Sequence, residues 1–238
     1  MENLLIIIPA YNEAASIEKV IKRLENAVPE TRLLVVDDGS KDGTFDICRR
    51  LQKRQTEDGI HTLSIVRHRC NIGLAGAIKT GMKYALKNGF DYALQFDGDG
   101  QHDENAIPDM LKIAVREKSN IVIGSRFIDK KYQLGNVKKV SIGLISSCIR
   151  LTSGGRITDP TSGMRMYDRK IMERFVASTH YTPEPDMLAY VIRKGAKVSE
   201  IPVKMRKRES GRSYLDKTES VKYLFRICAS ILLVQWFR

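Results

Sequence analysis

Short aliphatic runs alternate with helical patterns through the first half of the chain, and this alternation restricts the fold more than any other feature. Five runs have the length and composition of buried strands: Leu4–Ala10, Arg32–Val36, His61–Val66, Tyr92–Phe96 and Ile121–Ile123. The segments between them have helical spacing over Ile17–Ala27, Thr44–Gln52, Ala75–Lys87 and Ile107–Glu117. Strands joined by such helices pair in parallel, with helices on both faces. The sequence therefore predicts an α/β fold with a doubly wound, mostly parallel sheet.

The second half of the chain is less regular. Two amphipathic helices are predicted, Val137–Leu151 and Thr218–Arg238, together with shorter helices at Ile171–Val176 and Met187–Arg193 and a strand at Lys197–Val203. We expect one catalytic domain over residues 1–213 and a C-terminal amphipathic helix over residues 214–238. Both long helices suit either a membrane interface or burial against the sheet or a partner.

Membrane spans, a secretory leader and disulfides are not expected. No run reaches the roughly 18 apolar residues of a spanning helix, and the first aliphatic run has no basic leader before it. The four cysteines form no CxxC pair, which favours reduced thiols in a cytoplasmic protein.

The positive charge is concentrated in the C-terminal part. The chain has 40 Lys and Arg against 28 Asp and Glu, a net charge of +12. Residues 1–100 carry 14 charges of each sign, whereas residues 101–238 carry 26 basic and 14 acidic side chains. The excess suggests an anionic partner. No nucleic-acid-binding motif is present, so an anionic membrane surface is the better candidate, and a generally basic surface is the alternative.

Polar residues follow three of the predicted strands, where each strand ends. These segments are Pro9–Glu13, Asp37–Ser40 and Asp97–Gly100. Ligands of doubly wound sheets bind beyond the carboxyl ends of the strands, so the three segments predict one site.

Asp97 and Asp99 suit a hard divalent cation. Mg²⁺ and Mn²⁺ prefer a few carboxylates, completed by water and substrate phosphates, and Gln101 could add a carbonyl oxygen. A calcium loop of the EF type is excluded, because His102 and Pro108 occupy its glycine and glutamate positions. An acidic turn without a ligand is the remaining alternative.

Other candidates are less specific. Asp38 could accept a hydrogen bond from a nucleoside, or it could serve a turn. Arg126, Arg165 and Arg208 lie near glycines and hydroxyl groups, as phosphate-binding arginines do, but each could instead form a surface ion pair. Asp186 precedes a helix, where an acid also complements the helix dipole.

Five motifs, in their order and spacing, resemble glycosyltransferase family 2, whose members have the GT-A fold, a Rossmann-like sheet. They are IPAYNE (Ile8–Glu13), VVDDGSKDGT (Val35–Thr44), NIGLAGAIKTG (Asn71–Gly81), DGDGQH (Asp97–His102) and GSRF (Gly124–Phe127). DPTSGMR (Asp159–Arg165) and RESGRS (Arg208–Ser213) resemble the branch that glycosylates polyprenyl phosphates. The resemblance runs from Ile8 to about Ser213.

The resemblance implies a role for each matching residue. The nucleotide-sugar would contact Pro9, Ala10, Tyr11, Glu13, Asp38, Lys79, Asp97 and Gly98. Mg²⁺ or Mn²⁺ would be held by Asp97, Asp99 and Gln101. The sugar donor or the acceptor phosphate would face Arg126, Arg165, Arg208 and Ser213. The candidate catalytic residues are Asp97, Asp99 and Arg126, together with Asp186, which the resemblance itself does not supply. A C-terminal acceptor or membrane-interface subregion would complete the fold, and an anionic membrane, a small integral membrane protein or a second copy would be partners.

The implied reaction is inverting transfer of a hexose or N-acetylhexosamine to a polyprenyl phosphate on the inner face of the cell membrane, with a UDP-sugar as the favoured donor. A phosphate monoester has a second pKa near 6, so it needs no general base. A saccharide hydroxyl, the alternative acceptor, needs one, and Asp186 is the best candidate. A sugar nucleotidyltransferase is disfavoured, because Pro9–Glu13 is not a glycine-rich basic loop. The intact carboxylate pair disfavours a non-catalytic binding module.

Overall fold

A computed structural model describes residues 3–129, 136–178, 181–206 and 217–233. In these ranges seven strands form one sheet in the order β3-β2-β1-β4-β6-β5-β7. The strands are β1 Leu4–Ala10, β2 Arg32–Asp37, β3 Leu63–Arg67, β4 Tyr92–Gln95, β5 Ile121–Ser125, β6 Arg165–Asp168 and β7 Val198–Pro202. The helices are α1 Ile17–Ala27, α2 Thr44–Glu57, α3 Leu74–Lys87, α4 Ile107–Glu117, α5 Asn136–Ser153, α6 Arg169–Ala177, α7 Pro185–Arg193 and α8 Lys217–Leu232.

The sheet is mostly parallel, as the alternation predicted. β1 lies between β2 and β4 and is parallel to both, β2 is parallel to β3, and β5 is parallel to β7. The exception is β6, which is antiparallel to β4 and β5 and lies between them. The sequence did not predict β6, because this four-residue strand begins with Arg165, which is fully buried, and contains only two apolar residues.

The core lies on both faces of the sheet, which explains the unbroken aliphatic run of β1. Successive strand residues point to opposite faces. Leu5 and Ile7 therefore pack with α3, α6 and α7 on one face, whereas Leu4, Ile6 and Ile8 pack with α1 and α4 on the other. A strand buried on both faces cannot alternate with polar residues.

The carboxyl ends of β2, β1 and β4 are neighbours at one edge of the sheet. This arrangement brings together the loops that follow Asp37, Ala10 and Gln95, as the sequence predicted. Gly39 permits a close approach there: its φ is +74°, and a Cβ atom would meet the Cys70 backbone at 2.8 Å.

The predicted helices are found, with shifted ends. α2 extends to Glu57 rather than Gln52, and α8 begins at Lys217, one residue before the predicted Thr218, and ends at Leu232. Residues 234–238 of the predicted helix lie outside the described residues. The expected domain boundary at residues 213 and 214 lies outside the described residues. In the part of the chain that the structure describes, no helix combines the length and apolar character needed to cross a membrane.

Candidate active site

A cavity of about 500 Å³ opens at the carboxyl ends of β1, β2 and β4. Seven of the eight predicted nucleotide-sugar contacts line it: Pro9, Ala10, Tyr11, Glu13, Asp38, Asp97 and Gly98. Lys79 does not line it; its Nζ donates to the Ser178 carbonyl at 3.1 Å. Larger grooves exist, including one of about 810 Å³ along α2 and β3, but it contains none of the predicted site residues.

The cavity also has lining residues to which the sequence gave no role. Asn71, Gly73, Leu74 and Ala77 form the wall at the start of α3. They belong to a motif quoted for the family resemblance, but neutral and apolar side chains carry no chemical signal of their own. Their position at the site follows from the fold.

Glu13 joins the loops that follow β1, β2 and β4. Its backbone N donates to Thr44 Oγ1 at 2.9 Å. Ser16 Oγ lies 2.9 Å from Glu13 Oε2 and 2.8 Å from the Gly98 carbonyl. Ser16 directly precedes α1, but its side chain makes no hydrogen bond to the first turn of that helix. Its hydroxyl group instead fixes the cavity wall.

Asp38 is buried, and its carboxylate organises the opposite wall. Oδ1 accepts a hydrogen bond from the Ile72 amide at 3.0 Å, and Oδ2 accepts one from the Gly73 amide at 2.8 Å. His68 Nδ1 lies 2.7 Å from Oδ1, and His68 Nε2 lies 2.9 Å from Thr80 Oγ1. Asp38 thus lines the cavity and also holds the segment before α3 in place. The sequence gave no indication of His68.

Asp97 follows β4 and faces the same cavity. His102 Nε2 lies 3.0 Å from Oδ2, and Gln95 Nε2 donates to Oδ1 at 3.3 Å. Burial alone raises the pKa of this carboxyl group, but the hydrogen-bonded His102, with Gln95 and Arg165, outweighs it, so the pKa lies below its ordinary value. Asp97 is therefore an anion at neutral pH.

The donor set at this point fits a magnesium or manganese ion. Asp99, which also lines the cavity, accepts a hydrogen bond from the Gln101 amide at 3.0 Å. Among the described residues, no three His, Cys, Asp or Glu side chains form a ready cluster. Two carboxylates that leave the remaining positions to water and phosphate are what Mg²⁺ and Mn²⁺ use in nucleotide sites. The Gln101 side-chain amide donates to the Arg206 carbonyl at 3.4 Å.

The predicted phosphate-binding arginines have protein partners. Arg126 pairs with both oxygens of the buried Asp159, through Nε at 2.6 Å and through a terminal nitrogen at 2.7 Å. Arg165 is buried, and three of its nitrogens donate to backbone carbonyls, including those of Ser162 and Pro160. Neither arginine lines the cavity. Arg208 and Ser213 lie outside the described residues.

Asp186 is also separate from the cavity. It lies in the first turn of α7, is buried, and accepts a hydrogen bond from Ser230 Oγ of α8 at 2.6 Å. α8 is further tied to this helix end by an ion pair between Arg226 and Glu184 at 3.0 Å. The described structure therefore does not bring Asp186 together with Asp97 and Asp99.

Comparison with known families agrees with this geometry. The sequence model named "Glycosyl transferase family 2" matches residues 5–176. The chain belongs to glycosyltransferase family 2. This family membership makes the protein a glycosyltransferase, and the match includes β1, β2, β4 and the carboxylates that follow them.

Relatives with specific names match most of the chain. An undecaprenyl-phosphate mannosyltransferase from Micrococcus luteus is 35% identical over 88% of this chain and 86% of its own length. A polyprenol monophosphomannose synthase from Mycolicibacterium smegmatis is 30% identical over 94% and 84%. A UDP-N-acetylglucosamine–dolichyl-phosphate N-acetylglucosaminyltransferase from Methanococcus voltae is 29% identical over 84% and 84%.

Solved structures have the same fold at low sequence identity. Glucosyl-3-phosphoglycerate synthase from Mycobacterium tuberculosis, in complex with Mn²⁺ and UDP-glucose, superposes with a TM-score of 0.67 at 18% identity, covering 97% of this chain and 79% of that one. A mannosyltransferase from Pyrobaculum calidifontis with GDP-Man and Mn²⁺ gives 0.65 at 18%, covering 98% and 68%. The fold is GT-A.

Proposed function

We propose that this glycosyltransferase moves a sugar from a nucleoside diphosphate sugar, with a UDP-sugar as the favoured donor, to a polyprenyl phosphate, with inversion at the anomeric carbon. The observation that carries the proposal is the position of Asp97 and Asp99 in a cavity that Tyr11, Glu13 and Asp38 also line. Such a cavity offers polar groups to a nucleoside and carboxylates near its diphosphate.

A divalent cation held by Asp97 and Asp99 would supply positive charge to the leaving diphosphate. A phosphate oxygen of the acceptor forms the new bond to the anomeric carbon, while the bond from that carbon to the diphosphate oxygen breaks. The electron pair of the broken bond leaves with the nucleoside diphosphate. Because the acceptor is a dianion near neutral pH, no residue of the chain has to remove a proton.

The names of the relatives support a lipid phosphate acceptor. Three that match most of the chain are named for transfer to undecaprenyl, polyprenol or dolichyl carriers. One of them is named for a UDP-sugar donor, and two are named for mannose transfer, so both hexosyl and N-acetylhexosaminyl donors belong in the test. Transfer to a saccharide hydroxyl is less well supported, because its candidate base, Asp186, lies beneath α8.

The surface of α5 and α8 supports attachment to the inner face of an anionic membrane. Large apolar side chains are exposed on both helices, with Val140 at 71%, Leu151 at 80% and Phe225 at 73% exposure. Exposed basic residues on the same helices include Lys139 and Lys222. An apolar face bordered by cations matches a bilayer with anionic headgroups. A second copy of the chain or a small integral membrane protein would be the alternative occupant of this face.

The test is a donor screen with undecaprenyl phosphate in detergent and Mn²⁺. UDP-glucose, UDP-N-acetylglucosamine and GDP-mannose are supplied with a radiolabelled sugar, and the organic extract is counted. We expect label in the lipid phase with one donor, with equimolar release of its nucleoside diphosphate. Donor hydrolysis without lipid product, or transfer only to an added saccharide, would contradict the proposed acceptor.

A further inference from the structure

We call residues 97–102, the segment that contains Asp97 and Asp99, the metal loop. Two arginines donate hydrogen bonds to backbone carbonyls of this loop. Arg23 of α1 donates one hydrogen bond to the Gly100 carbonyl at 3.1 Å and another to the His102 carbonyl at 2.9 Å. Arg206, which follows β7, donates to the same His102 carbonyl at 3.2 Å. Its backbone N donates to the Gln101 carbonyl at 2.9 Å. Segments more than 100 residues apart in sequence thus converge on three successive residues of this loop.

Glu104 lies between the two guanidinium groups. Its Oε2 and Oε1 accept hydrogen bonds from Arg206 at 2.6 and 2.9 Å. Oε1 also accepts from Nε of Arg23 at 3.1 Å, and a terminal nitrogen of Arg23 donates to Oε2. The Glu104 side chain is only 8% exposed, so these are charge-assisted bonds with little solvent screening. Without this carboxylate the two cations would repel each other.

The hydrogen-bond network extends through His102 to the Asp97 carboxylate. His102, whose carbonyl both arginines bind, places its ring Nε2 3.0 Å from Asp97 Oδ2. The ring itself is buried and packs edge-on against Phe96, with centroids 5.4 Å apart. A shift of the His102 backbone would therefore move the hydrogen bond that orients the Asp97 carboxylate.

We propose that Glu104 is a positioning residue that forms the metal loop before a cation binds, by holding Arg23 and Arg206 against the loop carbonyls. The inference rests on the proposed metal-dependent transfer and assigns a role to a residue outside the quoted motifs. Residues that orient metal ligands from behind typically change metal affinity or activity by about 10- to 100-fold when they are substituted.

The decisive variant is Glu104→Gln, which keeps the size of the side chain and removes its charge. In the metal-free protein, we expect the amides of Gln101 and Arg206 to exchange hydrogen faster than in the wild type. In the presence of UDP or GDP, we expect Mn²⁺ to bind about 10- to 100-fold more weakly, as measured by electron paramagnetic resonance.

Glu18→Gln is the matched control. Glu18 also pairs with two cations, Lys22 at 2.7 Å and Arg50 at 3.3 Å, but on the exposed side of α1. This variant should keep the wild-type Mn²⁺ affinity and amide exchange. If Glu104→Gln does not fold, Arg206→Met is the second variant. It removes one of the two guanidinium groups that bind the loop carbonyls, and it should also weaken Mn²⁺ binding.

Wild-type Mn²⁺ affinity in a folded Glu104→Gln protein would overturn the inference and leave the proposed function intact. A lower melting temperature with unchanged Mn²⁺ affinity would do the same, because it would make Glu104 merely structural. A wild-type protein that binds no Mn²⁺ with either nucleotide would contradict both the proposed function and the inference.

Discussion

Asp97 is fixed by neighbours that approach it from several directions. His102 and Gln95 hold its two oxygens, and Gly163 lies against it from the DPTSGMR segment. A Cβ atom at Gly163 would come closer than 3.0 Å to Asp97 Oδ2, so this position has no room for a side chain. The position of the Asp97 carboxylate therefore depends on the lack of a side chain at residue 163 as well as on its hydrogen-bond partners.

We predict that Gly163→Ala displaces the Asp97 carboxylate and lowers kcat by more than tenfold, since outer-shell changes at metal sites cost about 10- to 100-fold. Sugar transfer and Mn²⁺ affinity are the measurements. Gly143→Ala is the control, because a Cβ atom there meets nothing within 4 Å and the residue lies in helix α5. Equal activity of both variants would refute the packing argument.

A substitution at Asp186 tests whether the transfer needs a general base, as a hydroxyl acceptor would. Removing a general base typically costs about 10²- to 10⁴-fold in rate, whereas a phosphate acceptor needs none. We therefore predict that Asp186→Asn largely retains kcat with undecaprenyl phosphate. Because Ser230 bonds to this carboxylate, the melting temperature is recorded in parallel. A loss of 10²-fold or more in a protein of normal stability would contradict transfer to the phosphate without a general base.

At the scale of elements, the parts read correctly from the sequence are those with a strong local pattern. β1 is aliphatic over its whole length, and the three polar segments end neighbouring strands, so the sheet and its site edge could be predicted. β6 could not, because a four-residue strand with a buried arginine has no strand signature. The partners of Arg126 and Asp186 lie 33 and 44 residues away along the chain, so only the fold reveals that both side chains are engaged within the protein.

Helix α8 provides a pH-dependent prediction through Tyr223. Burial, with a contribution from Glu184, raises the pKa of this phenol to about 12, from an ordinary value of about 10. The folded protein thus favours the neutral phenol. The contribution of this phenol to folding stability is complete below about pH 10 and is lost as the pH rises toward about 12.

We expect the melting temperature of the wild type to fall more steeply than that of Tyr223→Phe between about pH 10 and 12. Tyr167 and Tyr181 also have raised pKa values but are present in both proteins, so the difference isolates Tyr223. Parallel curves for the two proteins would show that α8 does not bury this phenol in solution.

At the scale of the whole molecule, the excess of positive charge lies in residues 101–238, and the apolar exposure lies on α5 and α8. We predict that the protein sediments with anionic liposomes and that Phe225→Glu weakens this binding, because it puts a negative charge on the exposed apolar face. Ile60→Glu is the control, since Ile60 is exposed but lies between α2 and β3. Equal sedimentation of both variants would contradict membrane docking through this face.

We propose that the carboxylates after β4 act through a divalent cation in sugar transfer to a lipid phosphate. The direct measurement is transfer of radiolabelled sugar to undecaprenyl phosphate by the wild type with Mn²⁺, by the wild type with EDTA, and by Asp99→Asn, with Asp109→Asn on the exposed side of α4 as control. We predict labelled lipid only for the wild type and the control with Mn²⁺, and a loss of at least about 10²-fold in the other two cases. Undiminished transfer by Asp99→Asn or in EDTA would contradict metal-dependent transfer at this site.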